Sequence, residues 1–134
     1  MKFRYKKFLR GAFPATIRPI IPVQLCYKER TFAHEALVDS GADVCLFDAD
    51  IGEPLGIDIE SGEKAEVSGI TGEIEPCYWH DITLNIGGHD VKTRVGFKRN
   101  LASSYGIVGQ HGFFNFFVVK FDHQKEEVEL VPKP

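Results

Sequence analysis

The chain has 134 residues, 43% of them hydrophobic, which is enough for one domain with a packed core and too few for two of ordinary size. Its 16 basic and 19 acidic residues leave a formal net charge of -3, so there is no basic footprint for nucleic acid and no polybasic surface for a membrane. No apolar run is long enough to span a bilayer, and the basic start over residues 1–10 has no signal-length apolar stretch behind it.

Residues 1–19, which hold six basic residues within the first 18, are expected to form an N-terminal arm, extended or partly disordered, ahead of a domain over 20–134. Residues 20–27 and 31–38 are apolar-rich extended segments joined by Lys28-Glu29-Arg30, which is short enough for a hairpin. The second segment runs directly into Asp39-Ser40-Gly41. Asp48 then suits the cap of a short helical turn through Leu55, with Gly56 at the left-handed position that ends it. Residues 64–67 and 73–78 flank Ser68-Gly69-Ile70-Thr71-Gly72 as two strands and a glycine-bearing tip. Ile82, Leu84 and Ile86 alternate with polar residues, Gly87-Gly88 supplies a two-residue turn, and Val91, Val95 and Phe97 continue on the return strand. Ile107-Val108-Gly109 follows, then Gly112 to Phe117 as one or two helical turns, and a last hairpin from residues 118–122 and 127–131. The fold class is mainly β, closed or sandwiched.

Three cysteines, Cys26, Cys45 and Cys77, are an odd number at wide spacing. They read as buried free thiols of a cytoplasmic protein in a reducing compartment. Cys77-Tyr78-Trp79-His80 with His89 nearby lacks the second ligand pair that a metal site needs, and no metal or cofactor is expected. His34, His111 and His123 read as structural or surface residues. The phenylalanines at 113, 114, 116 and 117 read as core or dimer packing.

Ala36-Leu37-Val38-Asp39-Ser40-Gly41-Ala42-Asp43 carries the chemistry. An acid directly after a buried strand and before a small-residue turn is offered at the strand end with backbone donors around it. Downstream, Tyr105-Gly106-Ile107-Val108-Gly109 supplies an apolar-apolar-Gly element. The plain alternative for Asp39-Ser40-Gly41 is an Asp-initiated turn, and for residues 69–72 an ordinary hairpin.

Residues 37–43, the Gly69-Ile70-Thr71-Gly72 tip and Ile107-Val108-Gly109, in that order, resemble the retropepsin family of retroviral-type aspartic proteases and its bacterial and archaeal single-domain relatives. The likeness runs from Ile20 to Leu130. It implies a closed acid-protease barrel with one or two short helices, one lobe per chain, a homodimer, and hydrolysis of a polypeptide substrate without metal or cofactor. Asp39 would be the catalytic acid. Asp43, Asp48, Asp50, Asp58, Asp81, Asp90 and Asp122 lack its sequence context, so the second carboxylate would be Asp39 of another copy, placed opposite by a two-fold axis. By the same resemblance Ser40 would hydrogen-bond across the dimer, and Gly41 would admit backbone and water to the dyad. Ala42 and Asp43 would form the substrate floor. Gly69, Ile70, Thr71 and Gly72 would close as a flap, and Ile107 and Val108 would line the substrate.

Two departures stand out. Retroviral enzymes usually carry Arg directly after the second apolar-apolar-Gly, where this chain has Gln110, and viral dimers interleave their ends, where this chain closes on a predicted hairpin and a Pro-containing tail. Competing readings are a hydrolytically weak or inactive dimerisation or peptide-binding module and a monomeric ligand-binding barrel. Phe13-Pro14 is an aromatic-Pro bond that such a protease could trim in its own arm.

Overall fold

The structure is a computed structural model that describes residues 1–68 and 74–134. Its strands run in chain order as β1 (Lys2–Arg4), β2 (Lys6–Arg10), β3 (Phe13–Arg18), β4 (Ile20–Tyr27), β5 (Arg30–Val38), β6 (Leu46–Asp48), β7 (Glu63–Ser68), β8 (Ile74–Ile86), β9 (His89–Lys98), β10 (Gly106–Val108), β11 (Phe117–Asp122) and β12 (Glu127–Pro132). One short helix, α1 (Ala49–Gly52), and two 3₁₀ turns, Glu53–Leu55 and Ile59–Ser61, lie between β6 and β7.

Six strands close a barrel in the order β4, β5, β10, β6, β9, β8 and back to β4, with β7 added outside β8. The closure follows from alternation. Ile21, Val23 and Leu25 of β4, Ile82, Leu84 and Ile86 of β8, and Val91, Val95 and Phe97 of β9 are buried, and the residues between them mostly face out. The β8–β9 turn is the expected Gly87-Gly88, both at positive φ (59° and 85°), the backbone a tight hairpin demands. Lys28-Glu29 joins β4 to β5, with Lys28 at φ 53°.

Asp48 caps α1 by accepting from Asp50 N at 2.9 Å, and Gly56 ends the following turn at φ 82°, as the sequence leads one to expect. Strand β8 differs from expectation. Residues 74–86 form one continuous strand because residues 77–86 pair with β9, while 74–79 pair with β7 and 83–85 with β4. Residues 112–117 also differ: 112–116 make successive turns rather than a helix, and Phe117 already begins β11. Gly112 sits at φ 109°, far from helical backbone, and Phe113 and Phe117 turn inward, fully buried with ring centroids 5.1 Å apart.

Residues 1–18 are strand along most of their length. β1 joins β12 and β11 in a three-stranded sheet, with Phe3 opposite Val128. β2 and β3 form a hairpin in which the Phe13-Pro14 bond lies within a paired strand, so cleavage there would require the hairpin to open. Lys6 of that hairpin pairs with Glu35 at 2.7 Å, and Arg18 donates to the Tyr105 hydroxyl at 2.5 Å. Among the described residues no helix is long and apolar enough to cross a membrane.

Candidate active site

The site is made by a crossing. β10 lies between β5, to which it is parallel (Val108 opposite Val38), and β6, to which it is antiparallel (Ile107 opposite Leu46). The loop from β5 to β6, residues 39–45, must therefore pass over the end of β10. Backbone bonds fasten it there: Asp39 N donates to Val108 O at 3.0 Å, Gln110 N to Ala42 O at 2.9 Å, and His111 N to Asp43 O at 2.9 Å. Gly109 is the contact point. A Cβ on it would stand 2.5 Å from Ala42 O and 2.6 Å from Val44 O, backbone atoms with little freedom to move aside.

Asp39 is held in two ways within this loop. Ala42 N donates to its carbonyl at 3.2 Å, which closes a turn, and Gly41 N donates to its Oδ1 at 2.9 Å. The Asp-initiated turn and the catalytic reading thus describe one geometry, because a carboxylate fixed through Oδ1 still presents its other oxygen. Asp39 and Ala42 are half-exposed, and Ser40, Gly41 and Asp43 are exposed. Among the described residues, the Ser40 hydroxyl and the Asp43 carboxylate make no hydrogen bond or ion pair.

Ile107 is half-exposed, but Val108 is fully buried. This corrects the expectation that both line substrate: side chains alternate along β10, so Val108 faces the core and serves the loop through its carbonyl. Gln110 donates from Nε2 to Ser40 O at 3.0 Å, so it braces the loop with an amide. The expected flap tip, Gly69-Ile70-Thr71-Gly72, lies outside the described residues.

Several supporting residues escape a linear reading because their partners are distant in sequence. The buried Cys45 thiol accepts from Gly109 N at 3.4 Å and donates to His111 O at 3.6 Å, and burial pushes its pKa up to about 11. Asp48 also accepts from Leu101 N at 3.0 Å. Arg99 pairs with Glu53 and Glu60, so the segment leading to Ile107 is tied down before it enters β10. Cys77 is buried, but Cys26 is half-exposed, which corrects the expectation of three buried thiols: it alternates with the buried Leu25 along β4 and so lies on the outer side of the barrel wall.

A groove of about 800 Å³ begins one residue past Asp43, between Val44, His111 and Asn115 on one side and Trp79, Asp81 and Arg94 on the other. Its lining does not include Asp39. Among the described residues no three His, Cys, Asp or Glu side chains are grouped so as to hold a metal ion.

No protein-family model matches the chain, and no curated protein matches it in sequence. Among solved structures it is similar to EIAV protease complexed with the inhibitor HBY-793, at 19% identity and a TM-score of 0.53, over 76% of this chain and 88% of that one. The closed six-strand barrel, the crossing at Gly109 and this structural likeness together identify the fold as that of a retropepsin-like acid protease.

Proposed function

We propose that the chain is an aspartic endopeptidase that acts as a homodimer, each copy giving Asp39 to one dyad that hydrolyses a peptide bond in an extended substrate. The observation that carries the reading is the seating of Asp39 on a turn at the barrel end, its N–H fastened to Val108 O and the Ala42 and Val44 carbonyls of its loop packed against Gly109. Two carboxylates held about 3 Å apart cannot both ionise, an effect for which aspartic proteases are the standard illustration. The ionised member takes a proton from water, and the oxygen of that water attacks the scissile carbonyl carbon. The protonated member donates to the carbonyl oxygen; as the carbon–nitrogen bond breaks, the proton taken from water passes to the leaving nitrogen and a hydroxyl of the tetrahedral intermediate returns its proton to the other carboxylate.

Ser40, whose hydroxyl makes no hydrogen bond among the described residues, ties the two loops together across the axis. Gly41 leaves room for substrate backbone, Ala42 and Asp43 form the floor and receive its amides, and Ile107 faces a substrate side chain. Residues 69–72 close over the peptide as the flap, with Ile70 at its tip excluding water. The peptide is held as an added strand, so preference follows alternating side-chain pockets. The domain over 20–134 supplies this machinery, and the free thiols suit a cytoplasmic setting.

The test compares wild type and Asp39→Asn on a diverse peptide library between about pH 4 and 7, with products identified by mass spectrometry. Wild type is expected to cleave, and the substitution to lower the rate by about 10²–10⁴-fold or more. A dimeric wild type that binds peptides and cuts none would support the non-hydrolytic module instead.

A further inference from the structure

The hairpin β2–β3 leans on the face of the barrel that carries Asp39. Its returning strand leads to Pro19, whose carbonyl accepts from Val38 N at 2.9 Å, one residue short of Asp39. Side chains alternate along β10. A Cβ on Gly106 would collide with the core ring of Phe47, so Gly106 and Val108 look inward, and Tyr105 and Ile107 look outward on one face. Leu37, opposite Ile107 on β5, is half-exposed on that same face, and Asp39 follows it two residues on.

Phe8, Arg18 and Tyr105 join the hairpin to this face. Lys6 stands opposite Arg18 and Phe8 opposite Thr16, which puts Phe8 and Arg18 on one side of the ribbon. The Arg18 guanidinium lies over the Phe8 ring, 5.3 Å from its centroid, and donates to the Tyr105 hydroxyl at 2.5 Å, while the Phe8 and Tyr105 ring centroids stand 6.5 Å apart. The neighbouring cation Lys6 is neutralised by Glu35 at 2.7 Å, but Arg18 makes no ion pair among the described residues. A guanidinium is a planar fork of N–H donors that matches a carboxylate, and Tyr105 takes up one arm of it. All three side chains are half-exposed, so a solute can reach the remaining donors.

We propose that Arg18 and Tyr105 form a specificity wall of the substrate cleft that takes an acidic side chain of the peptide at a fixed distance from the scissile bond, with Phe8 as the positioning residue that holds the guanidinium. This rests on the protease reading and names a class of substrate for it. Leu37 and Ile107 are register partners, with Asp39 two residues beyond one and Tyr105 two before the other, so Tyr105 and Asp39 are separated by about 13 Å along the strands. An extended peptide covers that span in about four residues. The acid is therefore placed within about four residues of the scissile bond. Leu37 and Ile107, which lie between, offer apolar side chains, so selection by charge falls to Arg18. A glutamate there gains a charge-assisted hydrogen bond, and a lysine meets a like charge.

The test uses peptides matched except for Glu, Gln or Lys at each position within about four residues of the scissile bond. In wild type Glu at a fixed position is expected to raise kcat/KM over Gln by about tenfold or more, chiefly through KM, with Lys poorest. Arg18→Gln is expected to erase that ratio and Arg18→Glu to reverse it in favour of Lys, an exchange that a merely structural role would not produce. Phe8→Ala is expected to weaken the preference about threefold, and Phe8→Tyr to keep it. Binding of the same peptides to Asp39→Asn, read by fluorescence anisotropy, separates the wall from the chemistry. A Glu preference in binding, with no cleavage by wild type, would overturn the protease reading and leave the acid-binding wall standing. Equal cleavage of Glu and Gln peptides at every position would overturn the wall and leave the protease reading. So would an Arg18→Gln that keeps the Glu-to-Gln ratio and only loosens the dimer in sedimentation equilibrium. Peptides neither cut nor bound would overturn both.

Discussion

Cys45 illustrates how a residue's surroundings set its chemistry. Its thiol is buried against the Gly109 and His111 backbone and its pKa is pushed up to about 11, so it stays protonated and unreactive near neutral pH. Burial also raises the thiols of Cys77 and Cys26, but only Cys26 reaches solvent. Brief alkylation of the native protein is therefore expected to label Cys26 alone, with Cys45 and Cys77 labelled only after denaturation, as peptide mass spectrometry would show. That the thiols are unpaired was legible in their number and spacing; which one meets water depends on the position of Cys26 in the barrel wall. His34 lies between the rings of Phe32 and Phe47, and burial lowers its pKa below the ordinary 6.5, more than Glu35 and Asp48 raise it. The folded state thus binds this proton less readily than the unfolded chain, so the contribution of His34 is present above the ordinary histidine range and is lost as pH falls through it. The urea midpoint of wild type is expected to drop between about pH 7.5 and 5.5, and that of His34→Gln to drop less.

At the scale of elements, the crossing of residues 39–45 over β10 is the feature on which the site depends. Gly109→Ala would drive a methyl against two loop carbonyls. The expected cost is about 1–3 kcal/mol of stability from overpacking, with peptide cleavage lost beyond what that destabilisation explains because the Asp39 turn is lifted. Thermal unfolding and a cleavage assay on the same preparation check both parts. Local turn chemistry was readable here: Asp48 as a cap, Gly56 and the Gly87-Gly88 pair all stand where their backbone requirements put them. Residues 112–117 were not, because their phenylalanines follow a spacing that suits a helix while the inward pull of Phe113 and Phe117 and the φ of Gly112 enforce turns.

For the whole molecule, a dyad built from two identical loops makes activity a property of the pair. Adding about a threefold excess of Asp39→Asn, with free exchange of subunits, leaves only about a quarter of wild-type chains paired with wild-type partners. Peptide cleavage per wild-type chain is expected to fall to that fraction, provided the mixture is assayed after exchange. An undiminished rate would mean that one carboxylate suffices.

The sequence by itself determined the strand alternation, the tight turns and the segment that carries Asp39, since each rests on contacts between near neighbours and on backbone preferences of single residues. It also pointed to a closed β fold through the order of its motifs. Only the tertiary structure decided that β1 returns to β12, that Val108 faces the core, that Gln110 and Cys45 brace the loop, and that β11 is left, among the described residues, as an open edge. Each of these depends on residues far apart in the chain, whose meeting is fixed by barrel closure and burial.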